Sequence, residues 1–227
     1  MPNFSNIVIF SQGRSGSSYL TELIGNHSQN KTLTRPNHGC EIVHEDFSYL
    51  WTHSSQSKYF EEYIASHSCD KNLVVKIHYH HCEKDLAEWF NQSKNTKLVE
   101  IDRRNKLEQL VSLILSQNTN MWYGSQYPSF SFPITFNRLS KFVENLEKEK
   151  SRVRNLITTP IHPIMYEDLC VNEKEQMKRT FDFLDLPYEQ TKIWCKKQQV
   201  QTLESRIKNY EELKKQCEQT SFAEYFT

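Results

Sequence analysis

The chain alternates between two hydrophobic periods. Short runs rich in apolar, β-branched residues predict strands at Ile7–Phe10, Leu73–Ile77, Lys97–Ile101 and Ile161–Met165, the first of them buried on both faces. Between them, apolar residues recur three and four apart. These stretches predict helices over Ser17–Gly25, Phe47–Trp51, Tyr59–Ala65, Asp85–Phe90, Leu107–Ser116, Phe136–Ile157 and Lys174–Leu184. Strand and helix in alternation predict an α/β fold of three layers, a central mostly parallel sheet with helices on both faces. The stripe Phe136, Leu139, Phe142, Val143 and Leu146 has helical spacing and reads as core. Charge-rich Glu144–Arg154 reads as a solvated helix face, and Asp182–Pro187 as a helix end followed by a turn.

Two segments break the alternation. Asn26–His44 is polar, holds Pro36 and Gly39, and predicts a loop over the mouth of a site. Asn118–Pro133 is aromatic and turn-rich. A loop of that length is usually functional or disordered, and its aromatics favour a lid or an acceptor-binding segment; the plainer alternative is a loop tucked onto the core.

Composition narrows the function classes. A chain of 227 residues fits one domain, with 26–72 and 118–158 as acceptor-binding or lid insertions. Lys plus Arg (28) balance Asp plus Glu (28), so charge gives no reason to expect nucleic acid or an anionic membrane as partner. Six cysteines stand without a C-x-x-C pair, which suits reduced thiols and a cytoplasmic setting. No stretch has the length of a membrane span, and residues 1–20 lack a basic-then-apolar leader.

The first strand runs into Ser11-Gln12-Gly13-Arg14-Ser15-Gly16-Ser17-Ser18 and straight on into a helix. A strand, small-residue loop and helix aim backbone N–H groups, hydroxyls and a helix N-terminus at one spot, which is how proteins hold phosphate. Arg14 adds a fixed positive charge where a Walker loop places its lysine, but the G-x-x-x-x-G-K-[ST] spacing of an ATP or GTP site is missing. The strand Leu98–Ile101 continues into Asp102-Arg103-Arg104-Asn105 and another helix. Ligands of open parallel sheets sit at the carboxyl ends of strands, so these arginines are candidates for a second phosphate or for a surface ion pair. Ser112 lies eight residues after Arg104, a little over two turns along that helix. In His78-Tyr79-His80-His81-Cys82, strand alternation would set His78 beside His80 with Cys82 as a third ligand, but no second group has clear metal spacing, and no metal is expected.

Gly13-Arg14-Ser15-Gly16-Ser17-Ser18 resembles the loop that holds the 5′-phosphosulfate of 3′-phosphoadenosine 5′-phosphosulfate (PAPS) in sulfotransferases, with Gly13 where the commoner form has Pro. Arg104 with Ser112 resembles the family's pair for the cofactor's 3′-phosphate. Tyr166-Glu167-Asp168-Leu169 and the tail from Arg206-Ile207-Lys208-Asn209-Tyr210 to Phe226 resemble bacterial carbohydrate and trehalose-type relatives. The resemblance implies a P-loop-like three-layer fold and metal-free transfer of a sulfuryl group from PAPS to a hydroxyl of a small-molecule or glycan acceptor, leaving 3′,5′-ADP. It implies that Arg14, Ser15, Gly16, Ser17 and Ser18 hold the phosphosulfate. It also implies that the tail near Arg206 and Asn209 closes over the nucleotide. Two residues are candidates for the general base. Lys76-Ile77-His78 matches a Lys-x-His in which the histidine is the base and the lysine helps the leaving group; Glu41 follows the first helix where trehalose-type relatives carry a glutamate base. The alternatives are a nucleotide-dependent kinase with a degenerate loop, using Asp102 for its metal, and a silent nucleotide- or sulfate-binding module.

Overall fold

The computed structural model describes residues 5–32, 55–67, 70–122, 129–193 and 201–226. They divide into two compact units, the first drawn from 1–102 and 149–194 and the second from 103–148 and 195–227.

The first unit is built on five parallel strands: β1 (Asn6–Ser11), β2 (Asn30–Thr32), β3 (Asn72–His78), β4 (Thr96–Asp102) and β5 (Ile161–Met165), in the order β2-β3-β1-β4-β5. The apolar runs of β1, β3 and β4 are buried throughout because both faces are covered. On one face Ile7, Ile9, Val74, Val99, Ile101 and Ile164 pack against helices α1 (Ser17–Gly25), α6 (Tyr166–Val171) and α7 (Glu173–Phe183). On the other, Val8, Phe10, Val75, Ile77 and Leu98 meet α2 (Gln56–Ser66), α3 (Lys84–Gln92) and the end of α5 (Phe136–Leu156). This is the three-layer α/β arrangement expected from the sequence, and every pairing among the described strands is parallel.

Strand order decides where a ligand can enter. The connection leaving β1 runs through α1 on one face, whereas that leaving β3 runs through α3 on the opposite face. The connections part at the carboxyl end of central β1, the position where open parallel sheets form their binding crevice.

Two expectations are corrected. Part of the supposed loop 26–44 is strand β2, whose polar sequence has no apolar alternation to announce it. Its amides hold it in place: Asn72 Nδ2 donates to Asn30 Oδ1 at 2.9 Å, and Asn30 Nδ2 to the Ile24 carbonyl at 2.8 Å. The charged face Glu144–Arg154 is not merely solvated, because Lys150, Arg152 and Arg154 reach into the protein from α5. The expected helix Phe47–Trp51 lies outside the described residues.

The second unit holds α4 (Lys106–Thr119), the residues of α5 up to 148, α8 (Leu203–Arg206), α9 (Tyr210–Cys217) and a closing 3₁₀ turn (Ser221–Phe226). Asn105 caps α4 by accepting from the Glu108 N–H at 2.9 Å, the asparagine-to-glutamate spacing of a helix start. Leu107, Leu110, Val111, Ile114 and Leu115 form one core with Ile134, Leu139, Ile207 and Leu213, joined by Phe136, Phe142 and Val143 of the expected stripe.

Candidate functional site

The loop after β1 departs twice from ordinary backbone. Arg14 (φ 65°) and Gly16 (φ 90°) both lie in the left-handed region, with Ser15 between them. A side chain at Gly16 would be strained there, and its Cβ would lie 2.2 Å from Cδ2 of Tyr166. Gly16 therefore serves the close approach of the Tyr166 ring, at the start of α6, onto the loop. Among the described residues nothing lies within 4 Å of a Cβ built at Gly13. Ser15 is tied back, its N–H and hydroxyl both donating to the Gln12 carbonyl, at 3.3 and 2.8 Å.

Helix α1 begins at Gly16 with no side-chain cap and no acidic residue in its first turn. Among the described residues no carboxylate or hydroxyl caps its leading N–H groups and positive dipole end, the condition that favours an anion. Arg14 and Ser18 are half-buried, and Ser15 and Ser17 are buried. These residues offer the positive charge and the N–H and O–H donors that a phosphate-like anion takes.

Strand β3 runs beside β1 in a register that pairs Ile9 with Lys76 and Ser11 with His78. Lys76 and His78 alternate with Ile77, so both project on the α1 side of the sheet, as the Lys-x-His pattern requires. His78 is 5% exposed, and its Nδ1 lies 3.0 Å from Ser11 Oγ and 3.4 Å from the Ser11 carbonyl. The strand ends at His78 and the chain turns into a 3₁₀ segment at Tyr79–His81, so the alternation invoked for a His78–His80 metal pair stops there. Burial pushes the Cys82 thiol up to about 12, away from the thiolate a metal would need. Among the described residues no group of three His, Cys, Asp or Glu side chains is placed to hold a metal ion.

The opposite side of the same strand ends is organised by charge. Glu100 on β4 is buried, accepts the Tyr79 hydroxyl, and accepts Arg154 Nε at 3.0 Å. Burial first, then the Glu100 charge and hydrogen bond, drive the Tyr79 phenol far above its usual range. Asp102 takes Lys150 Nζ at 2.6 Å, and Arg152 donates to the carbonyls of Cys82 (2.8 Å) and Tyr79 (3.0 Å). Nothing in the sequence pattern pointed to this cluster, because its partners are far apart along the chain.

In the second unit, Arg103 pairs with Glu108, while its neighbour Arg104 is exposed. Ser112 is buried within α4, and its carbonyl accepts the Ser116 hydroxyl at 3.0 Å. Arg206 is 1% exposed and donates to the Phe130 carbonyl at 3.0 Å. Asn209 spends both ends of its amide on Ile134, accepting from its N–H and donating to its carbonyl at 3.0 Å each. These contacts, with the bridge between Phe132 and Ile207, stitch the tail to 130–134. Trp122 and Phe130 are each 40% exposed, and residues 123–128 between them, like Glu41, lie outside the described residues. No helix among the described residues is long and apolar enough to cross a membrane.

No protein-family model matches the chain, and no curated protein matches it in sequence. Solved structures do match in fold. The sulfotransferase domain from the curacin biosynthetic pathway aligns with a TM-score of 0.54 at 17% identity, covering 82% of this chain and 75% of that one. The sulfotransferase domain of the Synechococcus PCC 7002 olefin synthase aligns at 0.53 and 13%, covering 83% and 77%. A sulfotransferase from Alicyclobacillus acidocaldarius aligns at 0.50 and 12%, covering 97% and 92%. At these identities the likeness is one of fold.

Proposed function

We propose that the chain is a PAPS-dependent sulfotransferase that moves a sulfuryl group to the hydroxyl of a carbohydrate or glycolipid acceptor. The observation that carries this reading is the uncapped start of α1 behind the Arg14–Ser18 loop, with Lys76 and His78 on the adjoining strand and the same side of the sheet. The fold shared with solved sulfotransferases supports it.

In this reading Arg14, the first N–H groups of α1 and the hydroxyls of Ser17 and Ser18 surround the donor's 5′-phosphosulfate, while Ser15, whose hydroxyl donates to the Gln12 carbonyl, shapes the loop. PAPS supplies the activated sulfuryl group and a phosphate leaving group. Transfer is an in-line displacement in which charge grows on the bridging oxygen, so fixed donors aimed at that oxygen lower the barrier. Lys76 adds a cation for the leaving group. The acceptor hydroxyl needs a base within hydrogen-bond reach, and the candidates are His78 and Glu41. The resemblance gives Arg104 and Ser112 the 3′-phosphate and Arg206 and Asn209 the nucleotide. The buried, bonded states of the last two favour an indirect part, in which they shape the 130–134 segment.

The kinase alternative is less well supported. Its metal carboxylate would be Asp102, which lies on the α5 side of the sheet, away from Lys76, and is engaged by Lys150. Calorimetric titration of 3′,5′-ADP, with ADP and ATP plus Mg²⁺ as comparators, tests the assignment. Preferential binding of 3′,5′-ADP is expected, and Arg104→Ala should weaken 3′,5′-ADP by about tenfold or more while sparing 5′-AMP. Preference for ATP with Mg²⁺ would overturn the proposal.

A further inference from the structure

We propose that Ser11 is a positioning residue that fixes His78 in the Nδ1–H tautomer and so leaves the lone pair on Nε2 for proton abstraction. The inference rests on the reading of His78 as general base. Both residues are buried, and their pairing is set by the β1–β3 register. The reasoning starts from the acceptors. His78 Nδ1 faces two oxygens of the same residue, the Ser11 hydroxyl at 3.0 Å and the Ser11 carbonyl at 3.4 Å. A carbonyl oxygen only accepts, so the arrangement that satisfies both contacts puts the proton on Nδ1 and shares it between them. An imidazole protonated at Nδ1 carries its basic lone pair on Nε2, the tautomer a base needs when Nε2 is the reacting atom.

The placement couples this hydrogen bond to the anion loop. Ser11 is the last residue of β1, directly before Gln12, whose carbonyl takes both bonds from Ser15. The residue that orients His78 therefore also starts the loop, and strand pairing keeps the base and the loop in fixed relation. Burial matters as well, because a serine open to water would share its hydroxyl with solvent and orient the ring weakly.

The test measures tautomer and turnover separately. Long-range ¹H–¹⁵N correlation on the wild-type protein should show His78 in the Nδ1–H form. Ser11→Ala keeps the carbonyl at 3.4 Å but removes the nearer acceptor at 3.0 Å, so the Nε2–H population should rise and kcat with PAPS fall about tenfold, a fraction of the ~10²–10⁴ that a general base contributes. KM for PAPS and the affinity for 3′,5′-ADP should be unchanged, and Ser11→Thr, which keeps the hydroxyl, should restore both tautomer and kcat. An Nε2–H ring in the wild type would overturn the proposal even if Ser11→Ala failed to fold. So would an unchanged tautomer in Ser11→Ala. Full turnover in His78→Gln would remove any catalytic part for Ser11, while intact 3′,5′-ADP binding would leave the sulfotransferase reading standing.

Discussion

The two sides of the sheet at the carboxyl ends of β1, β3 and β4 solve opposite problems. On the α5 side the protein brings opposite charges together: Glu100 with Arg154, Asp102 with Lys150, and Arg152 with two strand-end carbonyls. On the α1 side it gathers Arg14, Lys76, hydroxyls and the start of a helix, groups that suit an anion brought from outside. Both sets are buried or half-buried on one rigid sheet. The difference teaches that burial of polar groups does not by itself mark a site: a cluster of mixed charge braces the fold, whereas one of cations, hydroxyls and a helix start has the sign and donor type that an anion takes.

The largest effect should come from breaking the side of mixed charge. Glu100 is buried whereas Arg154 is partly exposed, and removing that cation leaves the buried carboxylate desolvated and uncompensated, so Arg154→Ala should destabilise the protein by about 3 kcal/mol in urea unfolding. Glu100 is 3% exposed and Tyr79 2%, so neither turns to water without local rearrangement. Affinity for 3′,5′-ADP should stay within about twofold of wild type under native conditions, because Glu100 and Arg154 lie on the opposite face of the sheet from Lys76 and the loop. A loss below about 1 kcal/mol, the size expected of a surface pair, would mean the cluster is solvated after all.

A second, smaller effect should arise where the loop on the α1 side meets the core. Gly16→Ala combines left-handed strain with a collision against Tyr166, for a destabilisation of about 2 kcal/mol. Adding Tyr166→Ala should relieve the collision but not the backbone strain, so the double variant should be more stable than the sum of the two single losses. Strict additivity would show that the ring moves aside freely and does not brace the loop. Unlike Arg154→Ala, Gly16→Ala should also weaken 3′,5′-ADP binding, because it bends the element proposed to hold the anion.

How much of this was legible in the sequence follows from what is local and what is not. Strands β1, β3 and β4 fall within about a residue of expectation because a doubly covered parallel strand is a near-continuous apolar run, and the partly buried edge strand β5 coincides with its expected span. Helix α1 coincides with its expected span, marked by Leu20, Leu23 and Ile24. Strand β2 was illegible because Asn30-Lys31-Thr32 is held by amide bonds at a sheet edge. Helix α6 was missed because its six residues are too short to show a period, and the α5 charges were misread because Glu100 and Asp102 lie about fifty residues upstream. The loop and the Lys-x-His pattern could be picked out by residue type and spacing. The Ser11–His78 contact could not, since it depends on the register of β1 against β3, which a parallel pair without a tight turn leaves unspecified.

The smallest effect concerns the α1 side at its edge, where β5 meets α7. His162 is half-buried there, lies against the Phe183 ring (centroids 5.1 Å apart) and has Nε2 3.3 Å from Thr180 Oγ1. That hydroxyl already donates to the Gln176 carbonyl at 2.8 Å, so His162 Nε2–H is the donor and a neutral ring suffices. Burial first, then the positive charge of Arg179, hold the imidazole below its ordinary value of 6.5. The unfolded chain therefore binds more protons than the folded one just below that pH. Stability from His162 should be complete above about pH 6.5 and decline as pH falls through the lowered folded value, by less than about 1 kcal/mol. The difference between wild type and His162→Gln in urea unfolding from pH 7.5 to 5 isolates this term from the other histidines. A wild-type advantage that grows on acidification would have the wrong sign for a cationic neighbourhood, and would require a carboxylate to answer His162 as Glu100 is answered on the other side of the sheet.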